Sequence, residues 1–362
     1  MVRLNLPVLK DVMNQPEELP VIPEGLVYVH DDMPGITRKK RGKAFVYLLP
    51  DGSRITDEAE LARIRKLAIP PAYGEVWICP VENGHLQATA RDARGRKQYV
   101  YHPDWRQHRD ETKFDRMLEF GHALPEIRTR IKQDLDASTG SQVTRQIVIA
   151  TVVSLLDRTL IRIGNDEYAR SNGTYGLTTL RKRHVKLEGS RLRLHFKGKS
   201  GVVHEVSLQD RRIARILKKC QTLPGQELFK YLDDDGTLHS IGSREVNEYL
   251  REASGGEFTA KDFRTWHASV QALELWQQSR TAGDISTETV KKLLSEVAKS
   301  LGNTVAVCRK SYIHPRVLAF ITGEHMSAAD LSLNSIEQVP GLTSGEQAFL
   351  AVLGALECSD SV

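Results

Sequence analysis

Apolar and polar residues form short runs along the first third of the chain, a pattern that is typical of β-strands. The run at residues 44–49 ends in a Pro50-Asp51-Gly52 turn. Two further runs, at residues 76–79 and 86–90, flank an Asn83-Gly84 turn. The pattern therefore predicts a mainly β region in this part of the chain.

The apolar spacing changes to that of helices from about residue 110 onwards. Residues 142–163 are rich in Ile, Val and Leu and predict a long helix that ends at Gly164. Thr259 and Asp262 have the spacing of a helix-capping pair. The core stripe of the helix that they begin is formed by Phe263, Trp266, Val270 and Leu273.

Two more helices are predicted further along the chain. Apolar residues between 290 and 301 define the first, and Gly302 is well placed to end it. A short second helix carries Tyr312 and stops before Pro315, because the residue that precedes a proline disfavours the helical conformation.

A period of two between these helical stretches predicts a three-stranded antiparallel sheet over residues 184–208. In its middle strand, apolar residues that suit a buried face alternate with polar ones that suit water: Leu192, Leu194 and Phe196 with Arg193, His195 and Lys197. The following turn, residues 198–201, places Lys199 at an exposed hairpin tip.

These patterns predict an α+β fold with two domains. The 362 residues suffice for two domains on a prior of roughly 150 residues each. We expect a β-rich N-terminal domain over residues 1–105. A mainly α-helical C-terminal domain over residues 106–362 would contain the small three-stranded antiparallel sheet. The candidate boundary is the Pro103-Asp104-Trp105 segment.

The composition, with 40% hydrophobic and 27% charged residues, is typical of a globular protein. No apolar run approaches the ~20 residues of a membrane helix. The first twenty residues lack the apolar segment and cleavage site of a secretion signal. The scattered cysteines, which favour reduced thiols, are Cys79, Cys220, Cys308 and Cys358. We therefore expect a cytoplasmic protein with no membrane partner.

Positive charge is concentrated in one stretch of the chain. The net charge is only +5, but residues 160–219 contain fifteen Lys/Arg against five Asp/Glu, a local balance of +10. A second basic run is Arg38-Lys39-Lys40-Arg41. Such a distribution favours a polyanion partner whose binding weakens with salt. A solvated charged face gives the same pattern, so charge alone leaves both interpretations open.

One tyrosine and three cations provide the candidate chemistry. Tyr312 lies nine residues after Asn303, and upstream are Arg162 in LIRIG, Lys199 in FKGKSG and Arg264 in KDFRTWH. A tyrosine that attacks a phosphodiester needs such groups, because charge grows on the phosphate and the departing sugar oxygen needs a proton. Guanidinium groups suit the first task, and a lysine can do the second.

Each of these residues has a simpler interpretation when it is taken alone. Tyr312 can be a packing residue near a helix end, and Arg162 can cap the C-terminus of its helix. Lys199 can be a turn residue, Arg264 a surface cation and Asn303 part of a helix C-terminal turn. Their combined order and spacing favours the catalytic interpretation.

That combination resembles the type IB DNA topoisomerases, especially the small bacterial and poxvirus form, over nearly the whole chain. RIGNDEYARSNGTYGLTTLRKRHV is similar to the family's first-arginine motif at Arg162, and FKGKSG to the hairpin whose lysine, here Lys199, is the general acid. KDFR is similar to the second-arginine motif at Arg264, and LGNTVAVCRKSY to the nucleophile segment that ends on Tyr312.

Asn303 departs from part of this family. The small poxvirus and nuclear enzymes have histidine at this position, whereas asparagine fits the bacterial branch. An amide can donate a hydrogen bond to a phosphate oxygen but does not titrate as imidazole does. The resemblance therefore gives Asn303 the role of a hydrogen-bond donor.

The resemblance also implies contacts with duplex DNA. RDARGRKQYVYH is similar to the DNA-contact segment of the family's N-terminal domain, which gives contact roles to Gln98, Tyr99 and Tyr101. Tyr168 and Lys261 inherit contact roles from the two arginine motifs. We expect the N-terminal domain to serve as a clamp that closes around the duplex with the catalytic domain.

The reaction implied is a reversible transesterification in which Tyr312 forms a 3′-phosphotyrosyl link, the cut strand rotates, and the nick is resealed. Supercoils of either sign would relax. One phosphodiester is exchanged for another, so ATP is unnecessary, and two arginines can supply the charge of a metal ion. We expect no cofactor, no nucleotide partner, a monomer and a nucleoid-associated location.

A metal site has little support in the sequence. The twelve histidines form no HExxH motif, no paired CxxC is present, and His184, His195 and His204 lie on predicted strands that can face solvent. No GxxxxGK[ST] or GxGxxG motif indicates nucleotide binding.

Three other function classes remain open. They are a tyrosine site-specific recombinase, a non-catalytic DNA-binding protein and a metal-dependent phosphodiesterase. The GRKQYVYH segment and the absence of an HxxR pattern at residues 261–264 argue against the recombinase.

Overall fold

The computed structural model describes residues 22–42, 44–137, 143–284, 286–323 and 338–354. The first twenty residues, Gln142 and Cys358, for which the sequence analysis makes predictions, lie outside these ranges. The chain divides into two compact units, Met1–Arg109 and Asp110–Val362. Within the described ranges, no helix has the length and apolar character needed to cross a membrane.

The N-terminal unit is built on an antiparallel sheet of five strands, in the order β2-β1-β3-β4-β5. Its elements are β1 (Ile36–Arg41), β2 (Ala44–Leu48), α1 (Glu58–Lys66), β3 (Gly74–Ile78), β4 (Leu86–Arg91) and β5 (Lys97–Tyr101). One face of the sheet packs against α1 through buried side chains such as Ile36, Ile64 and Ile78. The predicted β-rich region is confirmed.

Helix α2 (Pro103–Asp115) spans the division between the two units. The Pro103-Asp104-Trp105 segment, the candidate boundary, forms the first turn of this helix. Trp105 is 5% exposed, and its ring centroid lies 4.8 Å from that of His85 in the N-terminal unit. The start of α2 is therefore packed into the N-terminal unit, and the division of the chain lies further along the helix.

The C-terminal unit is mainly helical and contains a small antiparallel sheet in the order β6-β7-β8. Its first elements are α3 (Met117–Asp136), α4 (Arg145–Thr159), α5 (Asp166–Asn172), β6 (Val185–Glu188), β7 (Arg191–Lys197), β8 (Val203–Gln209) and α6 (Arg211–Thr222). The remaining ones are β9 (Lys230–Leu232), β10 (Leu238–Ser240), α7 (Ser243–Ser254), α8 (Ala260–Thr281), α9 (Thr287–Ser300), α10 (Val305–Ser311), α11 (Pro315–Thr322) and α12 (Ser344–Gly354).

The middle strand β7 shows the predicted two-faced pattern. Its odd-numbered residues from Arg191 to Lys197 are exposed, and Leu192, Leu194 and Phe196 are buried in the main core. Helix α8 likewise begins with the predicted capping pair. The N–H of Thr259 donates to Asp262 Oδ2 at 2.7 Å, and Thr259 Oγ1 accepts from the N–H of Lys261 at 3.4 Å. The predicted α+β architecture of this unit is confirmed.

Helix α4 is shorter than the sequence pattern predicts. It ends at Thr159 instead of continuing to residue 163, because Leu160 adopts a left-handed conformation with φ of 57°. The apolar pattern continues past this point since Ile161 is buried in the core without being helical. As a result, Arg162 lies beyond the helix in an irregular segment, and its interpretation as a residue of the helix end is wrong.

A buried network of charged groups joins four helices of the C-terminal unit. Arg128 on α3 donates to both oxygens of Asp157 on α4, at 2.9 and 3.0 Å, and to Glu346 on α12 at 2.7 and 2.9 Å. His267 on α8 lies 3.0 Å from Asp157. Burial alone raises the pKa of Asp157, but hydrogen bonds from His267 and Arg128 outweigh it and lower the pKa to about 2.

Replacing the central cation of this network should destabilise the C-terminal unit. We expect Arg128→Met to lower the free energy of unfolding by about 3–5 kcal/mol, because Asp157 and Glu346 would keep their charges without the guanidinium that pairs with both of them. Urea denaturation measures the change. The matched control is Arg244→Met, since this arginine is 91% exposed and pairs with Glu248 at 2.9 Å. Its effect should stay below about 1 kcal/mol, and equal effects of the two variants would contradict the prediction.

Candidate active site

The backbone of Arg162 is fixed by the short turn at Leu177–Thr179. The carbonyl of Arg162 accepts a hydrogen bond from the N–H of Leu177 at 2.9 Å. Gly176 allows the two segments to come this close, because a Cβ atom there would lie 2.6 Å from the Arg162 carbonyl oxygen, closer than real Cβ atoms approach. The guanidinium therefore extends from a rigid base.

Arg264 lies on the second turn of α8 and is only 3% exposed, so its interpretation as a surface cation is wrong. Its Nη1 donates to the carbonyl of Leu160 and its Nη2 to the carbonyl of Leu301 at 2.9 Å. The side chain thus joins the end of α4 to the end of α9. Its Nε is buried and has no hydrogen-bond partner among the residues that the structure describes.

Asn303 is positioned by the way in which α9 ends. Gly302 adopts φ of 61°, and the N–H groups of Gly302 and Asn303 donate back to the carbonyls of Lys299 at 3.0 Å and Ala298 at 2.9 Å. This pairing is a Schellman motif, and glycine suits its left-handed position. Gly302 therefore ends the helix as predicted, and Asn303 is left to direct its side chain towards Arg162.

The Asn303 amide accepts one hydrogen bond and keeps a free donor. Arg162 Nη2 lies 2.7 Å from Asn303 Oδ1. Because guanidinium is a donor only, the atom facing it must be the amide oxygen. The amide nitrogen Nδ2 is then a buried donor, and it lacks a partner within the described part of the chain. Buried donors without a partner are rare in folded proteins, so they indicate a place for an anion or water.

Tyr312 directly follows α10, whose last residue is Ser311, and is held by neighbouring elements. Its N–H donates to the carbonyl of Cys308 at 3.0 Å, and Ser269 Oγ on α8 lies 3.4 Å from its carbonyl. Lys113 on α2 donates to the carbonyl of Ser311. The phenol ring lies beside Arg264, with 4.9 Å between the ring centroid and the guanidinium carbon.

The surroundings of Tyr312 favour its ionised form. Burial alone raises its pKa, but the charges of Arg264 and Arg162, together with hydrogen bonds from both, hold the pKa below its ordinary value. Burial and the charge of Arg162 in turn lower the pKa of Arg264 to about 10. A phenol that ionises more easily, beside two cations and the unused donors Arg264 Nε and Asn303 Nδ2, suits attack on an anionic phosphate.

Lys199 occupies the predicted exposed tip of the hairpin between β7 and β8. Among the described residues its side chain has no hydrogen bond or ion pair. The neighbouring Ser200 adopts a left-handed conformation with φ of 61°. The structure thus brings together Arg162, Arg264, Asn303 and Tyr312, and leaves the ammonium of Lys199 outside their contacts.

His204 is a neighbour of this site that the sequence interpretation assigned to a solvent-facing strand. Its ring stacks on that of Phe196, with centroids 5.1 Å apart and an angle of 12° between the planes. Burial, followed by the charges of Arg162 and Arg264, lowers its pKa. The predicted hairpin implies a register in which Phe196 on β7 pairs with His204 on β8. This register is the sequence signal from which the position of His204, close to the hairpin tip that carries Lys199, could have been predicted.

The other two histidines of the predicted strands have different surroundings, and His184 lies in a short 3₁₀ turn that ends just before β6. His195 is exposed on β7, as expected. His184 is buried beside Tyr175, and its burial, with the charges of Arg183 and Arg181, lowers its pKa to about 4. The solvent-facing interpretation of His184 and His204 is therefore wrong.

The residues predicted to contact DNA are found in both units. Tyr99 and Tyr101 share one face of β5, with ring centroids 6.1 Å apart, and Tyr99 is 49% exposed. Gln98 points to the opposite face, because side chains alternate along a strand, and its amide donates to Asp92 at 3.1 Å. In the C-terminal unit, Tyr168 on α5 and Lys261 at the start of α8 are exposed. Their contacts with DNA stay predictions.

Comparison with known proteins gives matches over both units. The family model of the eukaryotic DNA topoisomerase I catalytic core matches residues 102–336, and that of the bacterial DNA topoisomerase IB N-terminal domain matches residues 44–92. DNA topoisomerase 1B of Acanthamoeba polyphaga mimivirus is 33% identical over 290 residues, which cover 78% of this chain and 85% of that protein.

More distant matches share part of the chain. DNA topoisomerase 1 of rabbit fibroma virus is 23% identical over 238 residues, which cover 64% of this chain and 70% of that protein. The crystal structure of the XerH site-specific recombinase bound to its difH substrate aligns over 54% of this chain and 52% of that chain, with 14% identity and a TM-score of 0.32.

Removing a cation beside Tyr312 should make the phenol harder to ionise. We expect Arg162→Gln to raise the pKa of Tyr312, because one of the charges that stabilise the phenolate is lost. Ultraviolet difference spectroscopy during a pH titration, with the spectrum of Tyr312→Phe subtracted, measures the midpoint. The midpoint should move to higher pH in the variant. Arg193→Gln, which alters an exposed arginine on β7, is the control and should leave it unchanged.

Proposed function

The chain belongs to the type IB DNA topoisomerase family, and we propose that it relaxes positive and negative supercoils through a transient 3′-phosphotyrosyl link to one DNA strand. The observation that carries this proposal is the group of two guanidiniums and a tyrosine with two buried, unused donors, Arg264 Nε and Asn303 Nδ2. Such a pocket fits one phosphate with the tyrosine oxygen beside it.

In the cleavage step, Tyr312 Oη attacks the phosphorus and the bond from phosphorus to the 5′-oxygen breaks. Arg162 and Arg264 bind the non-bridging oxygens, where negative charge increases in the transition state. Asn303 Nδ2 adds a neutral donor to one of them. Because these groups are already held by backbone carbonyls and helix ends, little reorganisation is needed when the phosphate enters.

Lys199 supplies the proton for the departing 5′-oxygen. An alkoxide is a poor leaving group, and general-acid catalysis by a positioned side chain contributes typically 10²–10⁴-fold. The exposed position of Lys199 at the hairpin tip suits a group that reaches the scissile bond only when DNA is bound. The products are the phosphotyrosyl enzyme and a strand with a free 5′-hydroxyl.

Relaxation follows from rotation of the free strand end about the intact strand. The torsional strain of the DNA drives this rotation, and the 5′-hydroxyl then attacks the phosphotyrosine and reseals the strand. The bond energy is conserved in the phosphotyrosine, so the cycle requires no ATP. The two guanidiniums supply the positive charge that a metal ion provides in other phosphodiester reactions.

Aromatic and basic side chains, of which Tyr101 is half-buried, provide the contacts with duplex DNA. We assign this role to Tyr99 and Tyr101 in the N-terminal unit and to Tyr168 and Lys261 in the C-terminal unit. Gln98 is assigned a further contact from the opposite face of β5. The protein acts as a monomer on cytoplasmic, nucleoid-associated DNA.

Relaxation of a supercoiled plasmid in EDTA without ATP tests the proposed function. We expect the protein to relax plasmids with positive or negative supercoils. When the reaction is stopped with SDS, it should yield a covalent protein–DNA complex. Tyr312→Phe should bind the plasmid but give neither relaxation nor complex. The control Tyr231→Phe alters a tyrosine of β9 outside the site and should retain both.

Other outcomes of this experiment identify the rival classes. Relaxation by Tyr312→Phe would refute the assignment of the nucleophile. Binding without a covalent complex would indicate a non-catalytic DNA-binding protein. Loss of activity in EDTA would indicate a metal-dependent phosphodiesterase. Dependence on paired recombination sites would indicate a recombinase.

A substrate with a better leaving group isolates the role of Lys199. We expect Lys199→Ala to slow single-turnover cleavage of an ordinary phosphodiester by about 10²–10⁴-fold. When sulfur replaces the bridging 5′-oxygen, the thiolate leaves without a proton, so the rate should return to within about tenfold of the wild-type rate.

Lys197→Ala is the matched control, because Lys197 is an exposed lysine on the same hairpin. At saturating protein it should cleave both substrates at nearly the wild-type rate. An equal defect of Lys199→Ala on the two substrates would exclude Lys199 as the general acid.

A further inference from the structure

The imidazole of His204 fills a slot between the hairpin of Lys199 and the loop of Asn303. On the hairpin side, a Cβ at Gly198 would lie 2.6 Å from His204 Cδ2 and 2.7 Å from Nε2. On the loop side, a Cβ at Gly302 would lie 3.0 Å from Cε1 and 3.3 Å from Nε2. The ring therefore packs on the residue that precedes Lys199 and on the residue that precedes Asn303.

The absence of side chains at these two glycines makes the slot possible. Gly198 has φ of −93°, a value that any residue can adopt, so the close approach of His204 accounts for glycine at this position. Gly302 combines the same contact with the left-handed conformation that ends α9. Phe196 stacks on the ring and limits its rotation.

Packing holds His204 in place. Within the described ranges its side chain has no hydrogen bond or ion pair, although it lies in the field of Arg162 and Arg264. Burial and these two charges lower its pKa, so the ring is neutral near neutral pH and adds no third positive charge to the pocket. A neutral, flat and rigid side chain is suited to act as a spacer.

We propose that His204 is a positioning residue that fixes the hairpin of Lys199 relative to the phosphate pocket. The inference rests on the proposed role of Lys199 as general acid. Lys199 and the pocket residues come from separate elements, and the ammonium makes no contact with Arg162, Arg264 or Asn303. The His204 ring is a physical link between the two sides. An error of about 1 Å in such a placement can cost on the order of 100-fold in rate.

The test compares His204→Ala with wild type on the two substrates that isolate proton transfer. We expect the variant to cleave the ordinary phosphodiester about 10–100-fold more slowly in single turnover, because Lys199 is no longer held near the leaving oxygen. On the substrate with a bridging 5′-sulfur, the variant should cleave within about threefold of wild type, since no proton is needed.

Each outcome either supports or overturns the proposal. A similar defect on both substrates would overturn the proposal, because His204 would then act on the phosphate pocket or on folding. Wild-type rates on both substrates would overturn it as well. If wild type itself forms no covalent complex, the proposed function fails instead. The control is His195→Ala, an exposed histidine of the same sheet, which should match wild type on both substrates.

A second variant tests the slot while His204 is retained. We expect Gly198→Ala to slow cleavage of the ordinary phosphodiester but not of the substrate with a bridging 5′-sulfur, because the added Cβ displaces the imidazole. The double variant should cleave the ordinary phosphodiester within about twofold of the rate of His204→Ala alone. Without the imidazole, the added Cβ has nothing to collide with, so the two positions act through one contact. Additive defects would contradict the proposal, and so would a defect of Gly198→Ala on both substrates.

Discussion

Two guanidinium groups held near each other in a largely buried pocket are the constraint on which the site depends. Arg264 is 3% exposed, and burial together with Arg162 lowers its pKa to about 10. The carbonyls of Leu160 and Leu301 and the amide oxygen of Asn303 offset part of the repulsion by accepting hydrogen bonds. What is left is a fixed excess of positive charge and a few unused donors, which an anion can satisfy.

This constraint also explains the division between rigid and exposed groups. The pocket residues are held by helix ends and by the turn at Leu177–Thr179, so their positions follow from the packing of α4, α8 and α9. Lys199 lies on a hairpin tip instead, where its exposed side chain has no hydrogen bond or ion pair among the described residues. In the proposed mechanism, the fold thus separates the proton donor on the hairpin from the groups that bind the phosphate.

The sequence predicts those features that depend on local pattern. The alternation along β7, the Thr259–Asp262 cap and the glycine that ends α9 are each set by neighbouring residues. The end of α4 could not be predicted in this way, because Leu160 owes its conformation to contacts that include Arg264, about a hundred residues away. The site residues were identified from their order and from family resemblance, whereas the slot of His204 depends on two glycines from different elements.

The Schellman motif at the end of α9 links the length of that helix to the direction of Asn303. Each added or deleted helical residue would turn the exit of the chain by about 100° and shift it by about 1.5 Å. Insertions and deletions within α9 should therefore be selected against, whereas substitutions on its exposed side leave this geometry unchanged.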